Sequence, residues 1–121
     1  DIEKDASIIT QNFTHCIFVY TMGSQGSIAY FSGRQIQVKA MAVTKFVDSI
    51  GAGDTFFGFF VGTLLDSGLN RAEWLNSELI HTALQRASMA AAMNVEQKGC
   101  QPPKLIEVID KLSASQRPVK Y

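Results

Sequence analysis

The stretch FVDSIGAGDTFFGFF, residues 46–60, places two glycines and an aspartate directly before a dense run of aromatic side chains. The apolar run over 56–65 is too rich in phenylalanine for a surface loop. It predicts a buried helix from Ala52 to about Asp66 that is apolar nearly all round. A short extended segment over 43–47 leads into it. The stretch therefore predicts a tight, charged turn held at the start of a core helix.

Length and composition restrict the class of protein. The 121 residues suffice for one domain with a real core. A hydrophobic content of 46% with 18% charged residues is typical of a soluble globular chain. Eleven basic residues balance eleven acidic ones, which predicts neither a nucleic-acid nor a membrane partner. Cys16 and Cys100 lack a metal-type spacing, which indicates reduced thiols and a cytoplasmic location.

Strand patterns lie before the opening stretch. CIFVYTM, residues 16–22, is a continuous apolar run that predicts a strand buried on both faces. Residues 27–41 predict a half-exposed hairpin that turns at Ser32 and Gly33.

Helical patterns surround these strands. One short helix is predicted over 1–13, and a long one over 77–99 with Ser77 as its N-cap and Gly99 as its stop. Pro103 is predicted to open a last helix. The expected core face of that helix consists of Leu105, Ile106, Val108, Ile109 and Leu112.

The order of these elements predicts a layered α/β domain, in which β-strands with an edge hairpin are packed by helices. An all-α bundle does not account for residues 16–47. We expect residues 1–121 to be a single domain portion, with residues 113–121 as a tail.

The glycine-aspartate turn has a chemical interpretation. A helix beginning at Ala52 leaves its first amide N–H groups without partners, and they carry a partial positive charge. Flanking glycines let an anion approach, so the turn is typical of a phosphate cradle. Asp54 adds a negative charge there, which suits a base that takes a proton from an attacking hydroxyl. Spacing alone leaves open that Asp54 only stabilises the first helical turn.

Two other phosphate motifs do not match. A P-loop needs GxxxxGK followed by Ser or Thr, and neither Gly23 nor Gly51 begins one. A dinucleotide fingerprint needs GxGxxG, but the third glycine, Gly58, comes two positions late.

The residues VDSIGAGDTFFGFFVG resemble the DTxGAGD signature of the ribokinase-like (PfkB) carbohydrate kinases, with Ser49 in place of threonine. Three further segments resemble family motifs in the same order. They are TMGSQG at 21–26, ASMAAAMNV at 87–95 and KGCQPP at 98–103. The resemblance covers about residues 14–112 and implies a ribokinase-like fold.

This resemblance implies ATP-dependent phosphorylation of a sugar or a related small hydroxyl compound. Asp54 would be the catalytic base, and the amides of Gly51, Ala52 and Gly53 the anion hole. The family also implies nucleotide contacts from Thr21, Gly23 and Gly26, with Ser88 near the adenine. It implies ATP and Mg²⁺ as cofactors, possible use of K⁺, and a possible homodimer. The implied monovalent-cation site consists of Asp48, Ile50, Val95, Lys98 and Cys100.

Part of the family pattern is missing. Family members are usually more than twice as long, and their N-x-x-E motif linked to Mg²⁺ lies in the N-terminal part, ahead of the segments matched here. The Asn-x-x-Glu of this chain, Asn70 to Glu73, follows the glycine-aspartate turn instead. We therefore expect a C-terminal portion that holds the nucleotide side and the base, and that is inactive alone. Two alternatives stay open: a non-catalytic nucleotide-binding module, and a structural α/β fragment without a ligand.

Overall fold

The computed structural model describes residues 1–115, which form a small antiparallel sheet and helices packed on it. The strands are β1 (Phe18–Thr21), β2 (Ser27–Phe31) and β3 (Arg34–Val38). The helices are α1 (Ile2–Asn12), α2 (Ala52–Asp66), α3 (Ser77–Val95) and α4 (Leu105–Ser115), with short 3₁₀ helices at Gly23–Gln25 and Arg71–Trp74. The predicted layered α/β class is confirmed.

The sheet is an antiparallel meander in the order β1-β2-β3. Phe31 pairs with Arg34 across a two-residue turn. The two turn residues, Ser32 and Gly33, have φ values of 48° and 71°. Positive φ at both positions matches the right-handed twist of the strands, so this turn suits a tight hairpin. The predicted hairpin and its turn are confirmed, but its predicted half-exposure is wrong for β2, in which every residue is buried. Only β3, at the edge, is exposed along most of its length.

The prediction that residues 16–22 form a strand buried on both faces is wrong. In the described part of the chain β1 pairs with β2 alone, and Tyr20 is 40% exposed. The strand buried on both faces is β2, because it is central. Its Ile28 and Tyr30 pack towards α1, whereas Ala29 and Phe31 pack towards α2 and α3. Residues 43–47 form an extended loop rather than a strand.

The main core lies between the sheet and the pair of helices α2 and α3. The prediction that α2 is buried all round is wrong, because its apolar side chains divide between two faces. Phe56, Phe60 and Leu64 are buried against α3 and the sheet. On the other face, Phe57, Val61 and Leu65 are 44%, 44% and 65% exposed. Composition could not separate these faces, since both carry aromatic and aliphatic residues.

The ends of α3 differ from the prediction. Its N-cap is Asn76, whose side chain accepts a hydrogen bond from the amide of Leu79 at 3.0 Å, rather than Ser77. It ends at Val95, before Gly99, and the loop that follows packs on Gly51 through Cys100.

The last helix begins at Leu105 rather than at Pro103, and it continues to Ser115, within the segment expected to be a tail. Of its expected core face only Val108 is fully buried, and Ile106 is 61% exposed. Residues 116–121, the rest of the expected tail, lie outside the described residues. Within residues 1–115, none of the helices has the length and hydropathy that a membrane crossing requires.

Candidate active site

The turn before α2 is a type II β-turn over residues 49–52. The Ala52 amide donates to the Ser49 carbonyl at 3.2 Å. Gly51, the third residue of the turn, has φ 80° and ψ 0°, the values that a type II turn requires there. Glycine adopts them without strain. The Ala52 amide therefore already donates within the turn, and its place in an anion hole stays a prediction.

Three other amides of this turn have no acceptor among residues 1–115. The first helical bond of α2 runs from the Thr55 amide to the Gly51 carbonyl at 2.9 Å. The amides of Gly53 and Asp54 precede it, so no helical acceptor lies before them. The Gly51 amide has no acceptor either. These groups form a donor set at the positive end of the α2 dipole, which suits a phosphate or another anion.

Asp54 lies beside these amides at the mouth of a groove of about 540 Å³. The side chain is exposed, and its carboxylate accepts no hydrogen bond from residues 1–115. It therefore caps no helix amide and is open to a proton donor from outside. The groove runs along α2 and also contains Thr55, Gly58, Phe59, Arg86, Cys100 and Pro102.

Asp48 joins the turn to the loop that follows α3. One carboxylate oxygen accepts from the Ile50 amide at 2.9 Å, and the other accepts from the Gly99 amide at 3.0 Å. The Val95 carbonyl accepts from the amides of Val47 and Asp48, at 2.7 and 3.1 Å. The segments over 47–51 and 95–101 are thus held side by side by backbone and side-chain bonds.

Asn94 completes this connection and was not among the residues predicted from sequence. Its side chain is fully buried. The Nδ2 group donates to the Ile50 carbonyl at 2.8 Å, and Oδ1 accepts from the Gln101 amide at 3.0 Å. The sequence signal that could have identified Asn94 is an asparagine inside an alanine-rich helix, where asparagine has a lower helix propensity than alanine.

Cys100 packs directly on the turn. A β-carbon added to Gly51 would overlap the Cys100 Sγ atom and would lie 2.8 Å from its Cβ atom. The residue is exposed and lines the same groove as Asp54. The loop after α3 therefore closes on Gly51, the third residue of the turn.

The five residues of the implied monovalent-cation site lie in these two adjoining segments, and oxygens of four of them accept hydrogen bonds. Val95 O accepts two amides, each Asp48 carboxylate oxygen accepts one, and Ile50 O accepts from Asn94. The Lys98 carbonyl accepts from the Gln101 side chain at 2.8 Å. Most of these oxygens accept a single hydrogen bond and keep a second lone pair, so the monovalent-cation site stays a prediction. Among residues 1–115 no three His, Cys, Asp or Glu side chains form a metal-binding group.

The predicted nucleotide contacts occupy two other places. Thr21 ends β1 opposite Ser27, and the 3₁₀ turn follows, closed by a bond from the Met22 amide to the Gly26 carbonyl at 2.8 Å. Gly26 has φ 96°, and a β-carbon there would overlap the Val38 carbonyl. Ser88 is half-buried on α3. The Asp54 groove is not lined by Thr21, Gly23, Gly26 or Ser88.

The comparison with protein families gives a direct result. The model of the pfkB family of carbohydrate kinases matches residues 2–107. The chain therefore belongs to the pfkB carbohydrate kinase family.

Solved structures of ribokinase fold resemble this chain. A ribokinase from Giardia lamblia is 30% identical with a TM-score of 0.74, over 83% of this chain and 32% of its own. A fructokinase double mutant from Vibrio cholerae O395, bound to fructose, ADP and potassium ion, is 28% identical with a TM-score of 0.69, over 82% and 30%. An Arabidopsis thaliana ribokinase complexed with ribose and ATP is 26% identical with a TM-score of 0.67, over 79% and 28%. The chain thus spans about a third of the length of these relatives.

Proposed function

We propose that the complete gene product containing this chain transfers the terminal phosphoryl group of ATP to a hydroxyl group of a sugar or a related small compound. Asp54 acts as the general base that takes the proton from the attacking hydroxyl. The turn over 51–54 is the anion hole, with Gly53 and Asp54 as its helical amide donors and Gly51 as a third.

One observation carries this proposal: the free carboxylate of Asp54 and amides without acceptors lie together at the first turn of a core helix. Phosphoryl transfer demands mainly positioning and stabilisation of charge. Amides fixed at a helix end supply both with little reorganisation. Asp54 accepts no hydrogen bond from a helix amide among residues 1–115, so its carboxylate is free to accept a proton.

The solved structures of two relatives support ATP as the phosphoryl donor and a sugar as the acceptor. The Vibrio and Arabidopsis structures hold a sugar together with ADP or ATP. Mg²⁺ bound to the ATP phosphates would supply charge neutralisation during transfer. Thr21, Gly23, Gly26 and Ser88 stay predicted nucleotide contacts, and a homodimer and a cytoplasmic location also stay predictions. Use of K⁺ also stays a prediction.

The test is an assay of ADP release by the complete gene product, with Mg²⁺ and ATP, across hexoses, pentoses and nucleosides. Calorimetric titration with ATP accompanies it. Release that depends on one of these hydroxyl compounds would support the kinase. ATP binding without such release would favour the non-catalytic nucleotide-binding module. Absence of both would overturn the proposal.

A further inference from the structure

The Asn94 side chain is a buried polar group with both of its hydrogen-bonding ends satisfied. It is fully inaccessible to solvent, yet it lies in α3 among alanines that pack tightly on the core. A buried amide left unpaired is costly, so such groups are kept where their partners are fixed. Here the partners are the backbone of Ile50 and of Gln101, 44 residues before Asn94 and seven residues after it.

Both partners belong to the candidate active site. Ile50 is the second residue of the type II turn, and its carbonyl lies immediately before Gly51. Gln101 follows Cys100, whose Sγ atom packs on Gly51. The Asn94 amide therefore bridges the turn that begins α2 and the loop that closes on it, and it adds to the bonds that Asp48 makes between the same segments.

We propose that Asn94 is a positioning residue for phosphoryl transfer, which holds the turn over 49–52 in the orientation that aims its amides and Asp54 at the transferred group. This inference rests on the proposed function. Asn94 touches no reacting atom, since it is buried behind the turn and does not line the groove. Its loss acts through the orientation of the turn.

A positioning role for Asn94 predicts that its loss lowers kcat more than it changes the KM for ATP. Donors placed for the transition state lose their effect when they shift, and a misplacement of about 1 Å can cost about 10²-fold in rate. ATP itself is held by many other contacts, so its KM responds less. A purely structural Asn94 would instead lower the thermal stability and leave kcat unchanged below the unfolding temperature.

Asn94→Asp is the sharpest variant because the introduced side chain has the same shape. It keeps an acceptor for the Gln101 amide but sets an oxygen against the Ile50 carbonyl in place of the Nδ2 donor. Asn94→Ala removes both bonds without burying a charge, and it serves if the first variant fails to fold. Val108→Ala is the matched control: Val108 is equally buried, on α4, and its buried cluster partners Met89 and Ala90 do not line the groove.

The experiment uses the complete gene product and two readouts. Steady-state ADP release gives kcat and the KM for ATP, well below the unfolding temperature of each variant. Hydrogen exchange without substrate measures the amides over 50–54. We expect both Asn94 variants to lower kcat about 10-fold or more, with the KM for ATP changed by less than about 3-fold. We expect exchange over 50–54 to become about 10-fold faster. Val108→Ala should change neither readout.

If the wild type is active and the Asn94 variants have the same kcat, the inference is overturned. An equal loss of kcat in Val108→Ala would also overturn it, because general destabilisation would then explain the effect. If the wild type turns over no substrate, the proposed function fails and the catalytic role of Asn94 fails with it. Hydrogen exchange then still decides whether Asn94 holds the turn, since that readout needs no activity.

Discussion

The Cys100 Sγ atom fills the space beside the α-carbon of Gly51, so that the loop after α3 leaves no room for a side chain on the turn before α2. This contact connects a reactive atom to the candidate anion hole, because Cys100 is exposed and lines the groove that contains Asp54.

Alkylation of Cys100 should therefore inactivate the complete gene product. A maleimide adduct on Sγ would push on Gly51 and project into the groove, and bound ATP should slow the reaction. The measurement is residual ADP release against time of exposure to the reagent. Cys100→Ala should stay active and resist, whereas Cys16→Ala should remain sensitive. If Cys100→Ala is inactivated at the wild-type rate, the residue whose alkylation inactivates the protein is not Cys100.

Replacement of Asp54 by asparagine should lower kcat by about 10²–10⁴, the contribution expected of a general base. The affinity for ATP should change little or rise, because a negative charge beside the phosphates is removed. Kinetics and calorimetry together measure both quantities. The matched control is Asp66→Asn, since Asp66 is also exposed and lines the same groove at the far end of α2. Near-normal turnover in Asp54→Asn would remove Asp54 from the role of base.

Substitution of Gly53 should lower activity with little change in stability, whereas substitution of Gly51 should lower stability. A β-carbon on Gly53 meets no atom within 4 Å, so Gly53→Val should fold with a free energy of unfolding within about 1 kcal/mol of wild type. It should still lose about 10²–10³ in kcat, because the side chain blocks the anion. Gly51→Ala meets Cys100 at a positive φ, so it should lose more than about 1 kcal/mol of stability.

Urea unfolding and ADP release on both glycine variants check this pair. A Gly53→Val protein that is stable and fully active would show that the turn binds no transferred group. A Gly51→Ala protein with wild-type stability would contradict the type II turn.

Tyr30 should make the fold sensitive to alkaline pH. Burial, with a smaller effect from the nearby Glu3 carboxylate, raises the pKa of Tyr30 above its ordinary value of 10.0. The folded protein thus keeps the phenol proton that the unfolded chain releases. This contribution to stability is intact below pH 10.0 and is lost as pH rises through the folded pKa.

Tyr30→Phe checks this effect by urea unfolding at neutral and alkaline pH. The phenol oxygen is buried without a hydrogen-bond partner among residues 1–115, so its removal should cost little at neutral pH. The variant should lose less stability than wild type above pH 10.0. An identical alkaline loss in both proteins would assign the effect to other groups.

The 121 residues expressed alone should bind ATP weakly and phosphorylate no sugar. They carry the turn and Asp54, but they span about a third of the relatives' length. Placing a bound nucleophile is worth about 7–11 kcal/mol of barrier, which an unplaced sugar forfeits. The measurement is ADP release by the isolated chain across the same panel of compounds. Robust substrate-dependent release would show that a complete site fits in these residues.

Much of the fold was predictable because local signals were strong. Ala52 and Asp66 are the observed ends of α2, since glycines and a polar segment mark them. The Ser32-Gly33 turn was predictable from the chemistry of positive φ. The burial of β1 and α2 was not, because an apolar run does not reveal how many sides its neighbours cover. The edge position of β1 depends on pairing rather than on its own residues.

Part of the candidate site was also predictable from the sequence, and part of it was not. The base and the turn could be read from one stretch, since their residues are consecutive. The use of the Ala52 amide by Ser49 required the backbone geometry of Gly51. The bonds made by Asn94 depend on which loops meet at the end of α3. The hydrophobic periodicity of a sequence does not indicate which loops meet.

The bonds across the site also have a consequence for the order of folding. They join residues far apart in sequence: 44 positions for Ile50 and Asn94, 51 for Asp48 and Gly99, and 52 for Thr44 and Glu96. Each closes a long loop whose entropy must be lost before the bond contributes, whereas the hairpin closes a short one. We therefore expect these contacts to form late, after α2 has docked on α3, with low φ-values in the folding transition state. Mutations at Asp48 and Asn94 should then accelerate unfolding far more than they slow folding.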